Sequence, residues 1–178
     1  MAYKGLRFCD SPDDLARALG EVLPLPIAVV GVGNALCGDD GFGPAVVAAL
    51  RPSDAVKLFD VQGVPESFLG PIVASGCPGV LFVDAADLGA EPGRVTVVPP
   101  DRVAEVDVST HVVSLGLMAR AVVDLAGQPS DGRRVICALL AAQPEDLKTI
   151  DRLSPAIERA VRLAAAGIEA FAKGFPAR

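Results

Sequence analysis

Two carboxylates and the only imidazole of the chain fall where an α/β fold could bring them together. Asp40 lies in the loop Gly33-Asn34-Ala35-Leu36-Cys37-Gly38-Asp39-Asp40-Gly41-Phe42-Gly43, Asp84 ends the apolar run Val80-Leu81-Phe82-Val83, and His111 closes Ser109-Thr110-His111. Two carboxylate oxygens and one imidazole nitrogen suit a borderline divalent ion such as nickel or zinc, and leave coordination positions open. So few protein donors, with no thiolate among them, are expected to hold an ion loosely, so that it arrives with the substrate. One acid of the Asp39-Asp40 pair also has an ordinary reading, as the cap of the helix that follows, worth ~1 kcal/mol. Asp39 is the candidate for that cap, which leaves Asp40 for the site. Cys37 with His111 is an alternative nucleophile pair, but the neighbouring aspartates disfavour a thiolate there. Gly31-Val32-Gly33 imitates the start of a dinucleotide fingerprint. It fails at the third glycine, where Leu36 stands, and the loop would face a pyrophosphate with Asp39 and Asp40.

The elements that must hold these residues can be read from periodicity and punctuation. Pro26–Gly33 is a nearly continuous β-branched run, the pattern of a parallel strand buried on both faces. Pro44 opens a helix over 45–50 that Pro52 stops. Val56–Val61 reads as a second strand, Pro65-Glu66 opens a helix running toward Gly76, and Gly79–Asp84 is a third strand. Arg94–Val98 follows the Pro92-Gly93 turn as a fourth strand, and Val135–Leu140 is a fifth. His111–Ala126 and Ser154-Pro155 to about Ala172 carry helical apolar spacing. Ser11-Pro12 opens a short helix expected to end at Gly20, within an N-terminal extension of residues 1–25. The alternation predicts one α/β domain over 1–178, a three-layer αβα sandwich around a mostly parallel sheet of about five strands. Ligands of such sheets gather at the carboxyl ends of the strands, where Asp40 and Asp84 fall.

Composition removes several classes of function. The 178 residues are 51% hydrophobic, with 16 Lys+Arg against 22 Asp+Glu and a net charge of −6, and no basic stripe tracks phosphates. Nucleic acid is therefore not expected as a partner. No apolar run reaches the ~18 residues of a membrane span, and acidic residues follow Lys4 and Arg7 where an export signal would be apolar. A cytoplasmic monomer is expected. Cys9, Cys37, Cys77 and Cys137 form no CxxC pair, so they are read mostly as small buried residues.

Taken in order, a set of these residues resembles the nickel–iron (NiFe) hydrogenase maturation endopeptidases, in particular the formate-hydrogenlyase-type branch. The set is Gly31-Val32-Gly33-Asn34, Gly38-Asp39-Asp40-Gly41-Phe42-Gly43-Pro44, Asp60, Pro65-Glu66-Ser67, Val83–Gly89, Pro92-Gly93-Arg94, Thr110-His111, Leu115-Gly116-Leu117 and Gln143-Pro144-Glu145. The resemblance spans about 27–172. It implies a hydrolase, aspartic-type by family classification, that removes a C-terminal extension from a hydrogenase large-subunit precursor once nickel is installed. It also implies Asp40, Asp84 and His111 as the catalytic and metal-contacting residues. The resemblance further implies that nickel is carried by the precursor, with zinc or cadmium as substitutes in vitro. Substrate contacts are implied at Asn34, Asp39, Gly41, Asp60, Pro65 and Glu66. The segment Asp60-Val61-Gln62-Gly63-Val64 departs from the Asp-Gly-Gly frequent in the family. A non-catalytic metal- or partner-binding α/β module is the alternative, and a nucleotide-binding oxidoreductase is disfavoured by Leu36 and the acidic loop.

Overall fold

The β-branched and Ala-rich runs pair into one sheet in a computed structural model that describes residues 6–62, 65–103, 115–127, 134–148 and 152–176. The strands are β1 (Phe8–Cys9), β2 (Ile27–Val32), β3 (Val56–Gln62), β4 (Gly79–Ala85), β5 (Val95–Val98) and β6 (Ile136–Ala142). Their order is β1-β5-β6-β4-β2-β3. β3, β2, β4 and β6 run parallel, while β5 and β1 close one side antiparallel. The α/β class and the mostly parallel sheet agree with the sequence reading; the strand count is six instead of five. β1 has only two residues, too short to show any periodicity, and it exists by pairing Phe8 with Thr96 and Cys9 with Val95.

Alternation along the central strands sends side chains to two separate cores. Ile27, Val29, Leu81, Val83, Ala138 and Leu140 pack with α1 (Pro12–Val22), α2 (Phe42–Ala49) and α5 (Pro155–Ala172). Ala28, Val30, Val32, Val80, Phe82 and Leu139 face α3 (Leu69–Ala74) and α4 (Leu115–Ala126). Both sheet faces are thereby covered, giving the three expected layers. The N-terminal segment contributes Leu15 and Leu19, both fully buried, to the first core. Its anchorage continues through the buried Thr96 hydroxyl, which donates to the Arg7 carbonyl at 2.9 Å, and the Arg94–Asp10 ion pair at 2.6 Å.

Several element boundaries move. α1 continues through Gly20 to Val22, because the next turn buries Leu23 in the same core as Leu19 and its N–H donates to the Leu19 carbonyl at 2.8 Å. The segment from Pro65 begins as a 3₁₀ turn, Pro65–Phe68, before α3. β6 runs on to Ala142, since Ala141 and Ala142 are held in register opposite Asp84 and Ala85 on one side and Thr96 and Val95 on the other. Sheet neighbours, not propensity, decide that extension. α5 starts as read, with Ser154 Oγ accepting from the Ile157 N–H at 3.2 Å. Cys9, Cys77 and Cys137 are buried and Cys37 is half-buried. Burial pushes the Cys137 thiol up to about 12. No described helix is long and apolar enough to cross a membrane.

Candidate functional site

The site begins with glycines that let the β2–α2 turn settle onto the carboxyl ends of β2 and β4. A Cβ on Gly43 would lie 2.2 Å from the Val32 carbonyl oxygen and 2.3 Å from that of Val83, so only glycine permits α2 to start there. Gly33 has φ +125°, and a Cβ on it would fall 1.9 Å from the Asp40 carbonyl oxygen and 3.6 Å from Asp84 Oδ1. The Gly-Val-Gly run thus serves close backbone approach, and the turn it builds carries carboxylates into the sheet edge.

Asp40 is 3% exposed, and its Oδ2 accepts the Asn34 N–H at 2.7 Å. Asn34 Oδ1 in turn accepts the Leu36 N–H at 3.0 Å, and the Asp40 N–H donates to the Cys37 carbonyl at 3.2 Å. The loop is therefore closed upon the Asp40 carboxylate. Asp84 stands at the end of β4, opposite Ala141, and is fully buried. It shares its strand face with Val80 and Phe82, the face covered by α4, which begins four residues after His111 in the chain. Asp84 Oδ1 accepts the Ala85 N–H at 2.8 Å; Oδ2 is buried with no hydrogen-bond partner among the described residues. Burial pushes the Asp84 carboxyl well above the usual range and the Asp40 charge pushes the same way, with the Ala85 N–H pulling back.

His111 lies outside the described residues. Among those described, no three His, Cys, Asp or Glu side chains gather closely enough to hold an ion. The chemistry of the two acids nevertheless fits a divalent cation: carboxylate oxygens, one of them buried with no hydrogen-bond partner among the described residues.

Asp39 takes a different part from the one read in sequence. Neither the 3₁₀ turn Gly38–Gly41 nor α2 has a side-chain cap. The Asp39 carboxylate, fully buried, instead accepts from the Glu145 N–H (2.7 Å), the Asp146 N–H (2.9 Å), the Ser154 N–H (2.7 Å) and Ser154 Oγ (2.9 Å). It faces α5 and the β6–α5 connection, where those donors converge on it, whereas the start of α2 is packed on Val32 and Val83. Gly41 is also buried, its α-carbon facing Ala35 and Leu153. Asn34 and Asp60 are exposed, Asp60 at the carboxyl end of β3 beside Gly31. Pro65 and Glu66 stand in the 3₁₀ turn after β3, with side chains outside the description. Sequence reasoning gave no role to Gln143, although it singled out Gln143-Pro144-Glu145. Gln143 Oε1 accepts from the Leu88 N–H at 2.7 Å and the Ala90 N–H at 3.2 Å, fixing the loop that follows Asp84.

Comparison with known proteins places this geometry in a family. A family model described as HycI, hydrogenase maturation protease, matches residues 45–170, a stretch that holds Asp60, Asp84 and His111 and begins just beyond Asp40. The "Hydrogenase 3 maturation protease" of Escherichia coli K12 is 35% identical over 90 residues, 49% of this chain and 58% of that protein. The chain thus spans little more than half the length of that curated relative. The crystal structure of a NiFe hydrogenase maturation protease HycI from Thermococcus kodakarensis KOD1 superposes with a TM-score of 0.70 at 29% identity, over 89% of this chain and 96% of that one. The hydrogenase maturating endopeptidase HybD from E. coli shares the fold, with a TM-score of 0.65 at 21% identity over 83% of this chain and 92% of that one.

Proposed function

The chain belongs to the hydrogenase maturation protease family, and from that premise we propose that it is a cytoplasmic endopeptidase. It removes the C-terminal extension of a NiFe-hydrogenase large-subunit precursor after nickel insertion, with the precursor's nickel as the recognition element. The observation that carries this reading is Asp84 Oδ2, a buried carboxylate oxygen with no hydrogen-bond partner among the described residues, beside a second buried acid. Such an atom costs stability in the resting protein, and a cation brought by the substrate is the partner of matching charge. Zinc or cadmium would substitute for nickel in vitro.

Each residue then has a task. Asp84 keeps its proton to higher pH than an ordinary carboxyl in the resting state and releases it when a cation docks. Asp40, its Oδ2 held by the Asn34 N–H, supplies a carboxylate fixed in place by its loop. His111 adds the nitrogen donor. A carboxylate of this pair acts as general base toward the water that attacks the scissile carbonyl, which is the sense in which the enzyme is of aspartic type. Asn34, Asp60, Pro65 and Glu66 line the approach of the precursor segment.

The test is intact-mass analysis of the cognate precursor, nickel-loaded and nickel-free, after incubation with wild type and with His111→Ala. Loss of a C-terminal peptide only from the nickel-loaded form, and only with wild type, is the expected result. If the nickel-loaded precursor binds but keeps its full mass, the chain is a non-catalytic metal-state recognition module and the peptidase reading is withdrawn.

A further inference from the structure

The segment that leaves β6 hydrogen-bonds to both acid-bearing loops. At one end, Gln143 Oε1 accepts from the Leu88 and Ala90 N–H groups at 2.7 and 3.2 Å, with Gly89 at φ +64° between them turning both toward one acceptor. The Gln143 backbone completes the hold: its N–H donates to the Arg94 carbonyl at 2.9 Å and its carbonyl accepts from the Gly93 N–H at 2.8 Å. One residue earlier, the Ala142 carbonyl accepts the Ala86 N–H at 3.0 Å, two residues past Asp84. At the other end, the Glu145 and Asp146 N–H groups donate to Asp39 Oδ2, and the Asp39 N–H donates back to the Asp146 carbonyl at 2.9 Å. Asp40 is the next residue. Pro144, with its fixed φ and missing N–H, joins the two ends.

We propose that residues 142–146 form a strut that sets Asp40 and Asp84 at their working separation, with Gln143 as the positioning residue at the Asp84 end and Asp39 as its counterpart. The inference rests on the assignment of Asp40 and Asp84 to the site. A carboxamide is apt because one carbonyl oxygen accepts two N–H bonds while the amide nitrogen ties back to the Pro144 carbonyl at 3.3 Å. Removing the acceptor leaves the N–H of the buried Leu88 without a partner and frees the chain leaving Asp84 to shift. Two donors on different loops bind one ion only while their spacing is fixed, so the loss is read first in ion affinity.

Gln143→Met deletes the acceptor at nearly constant volume, and Gln143→Glu keeps it. Cadmium alone is titrated into the full-length variants by calorimetry, with thermal unfolding recorded on the same samples. Gln143→Met is expected to weaken cadmium about 10–100-fold, and Gln143→Glu to stay within about fivefold of wild type, the worth of the single bond to Pro144 that it forgoes. Should Gln143→Met not fold, Gln143→Asn, one methylene too short to reach both N–H groups, is expected to show the same loss. Wild-type affinity in Gln143→Met or Gln143→Asn, whatever the change in unfolding temperature, overturns the strut. A wild type that binds no cadmium overturns it together with the site. A wild type that binds cadmium yet leaves the nickel-loaded precursor intact removes the peptidase reading alone, and the variant affinities still decide the strut.

Discussion

Asp39 and Asp84 are both fully buried carboxylates at the same end of the sheet, and they meet opposite fates. Asp39 faces α5, where four donors fill its two oxygens. Asp84 faces the α4 side, where one oxygen has the Ala85 N–H and the other has nothing among the described residues. Equal burial therefore means different things: the first acid holds the fold together, and the second is held in place by the fold at a cost. The difference separates architecture from chemistry more sharply than burial or residue type does. It also explains why two neighbouring aspartates are not redundant: Asp39 ties the loop to the start of α5, while Asp40 closes the same loop through the Asn34 N–H.

The largest expected effect tests the architectural half. Asp39→Ala would strand three backbone N–H groups and the Ser154 hydroxyl, costing about 3–5 kcal/mol and lowering the melting temperature by roughly 10 °C, measurable by calorimetry. Next comes the opposite sign at the other acid. Asp84→Asn replaces a carboxyl whose ionisation burial disfavours with a neutral amide, and should stabilise the metal-free protein by about 1–2 kcal/mol in urea unfolding above the pH at which Asp84 ionises, while reducing precursor processing at least about 100-fold. A loss of stability there would erase the contrast between the two acids.

A finer test is pH. The Asp84 carboxyl titrates higher in the folded chain than its unfolded value of about 3.9. Between those two values the folded state binds more protons than the unfolded one. The contribution of Asp84 to stability is thus fully present below the unfolded value and is lost as pH rises through the folded one. The advantage of Asp84→Asn over wild type should accordingly grow with pH across that window, and a gap independent of pH would contradict it. The smallest effect lies far from both acids. Gly20→Ala, in mid-helix with the Phe171 ring at ordinary contact distance, should add about 0.5–1 kcal/mol without altering processing.

What the sequence disclosed follows the same division. The parallel strands were legible because a run such as Ile27–Val32 is buried on both faces and tolerates no polar residue, and α5 was legible from Ser154-Pro155. β1 was not, since two residues carry no period and its existence depends on the distant edge of β5. Asp40 and Asp84 could be picked out because strand ends are where such sheets bind ligands. Which of Asp39 and Asp40 was structural could not be settled locally: a cap for the adjacent helix is a neighbour-range expectation, and the donors that claim Asp39 lie 106–115 residues away. Gln143 was visible as a motif without a role for the same reason, its partners Leu88 and Ala90 being 55 and 53 residues distant.

The central claim, that the fold holds Asp84 at a cost for the sake of its chemistry, is met most directly by measuring unfolding free energy and processing of the nickel-loaded precursor on one preparation of Asp84→Asn. The account predicts a protein more stable than wild type that leaves the precursor at full mass. A variant that is less stable, or one that still shortens the precursor at the wild-type rate, would contradict it.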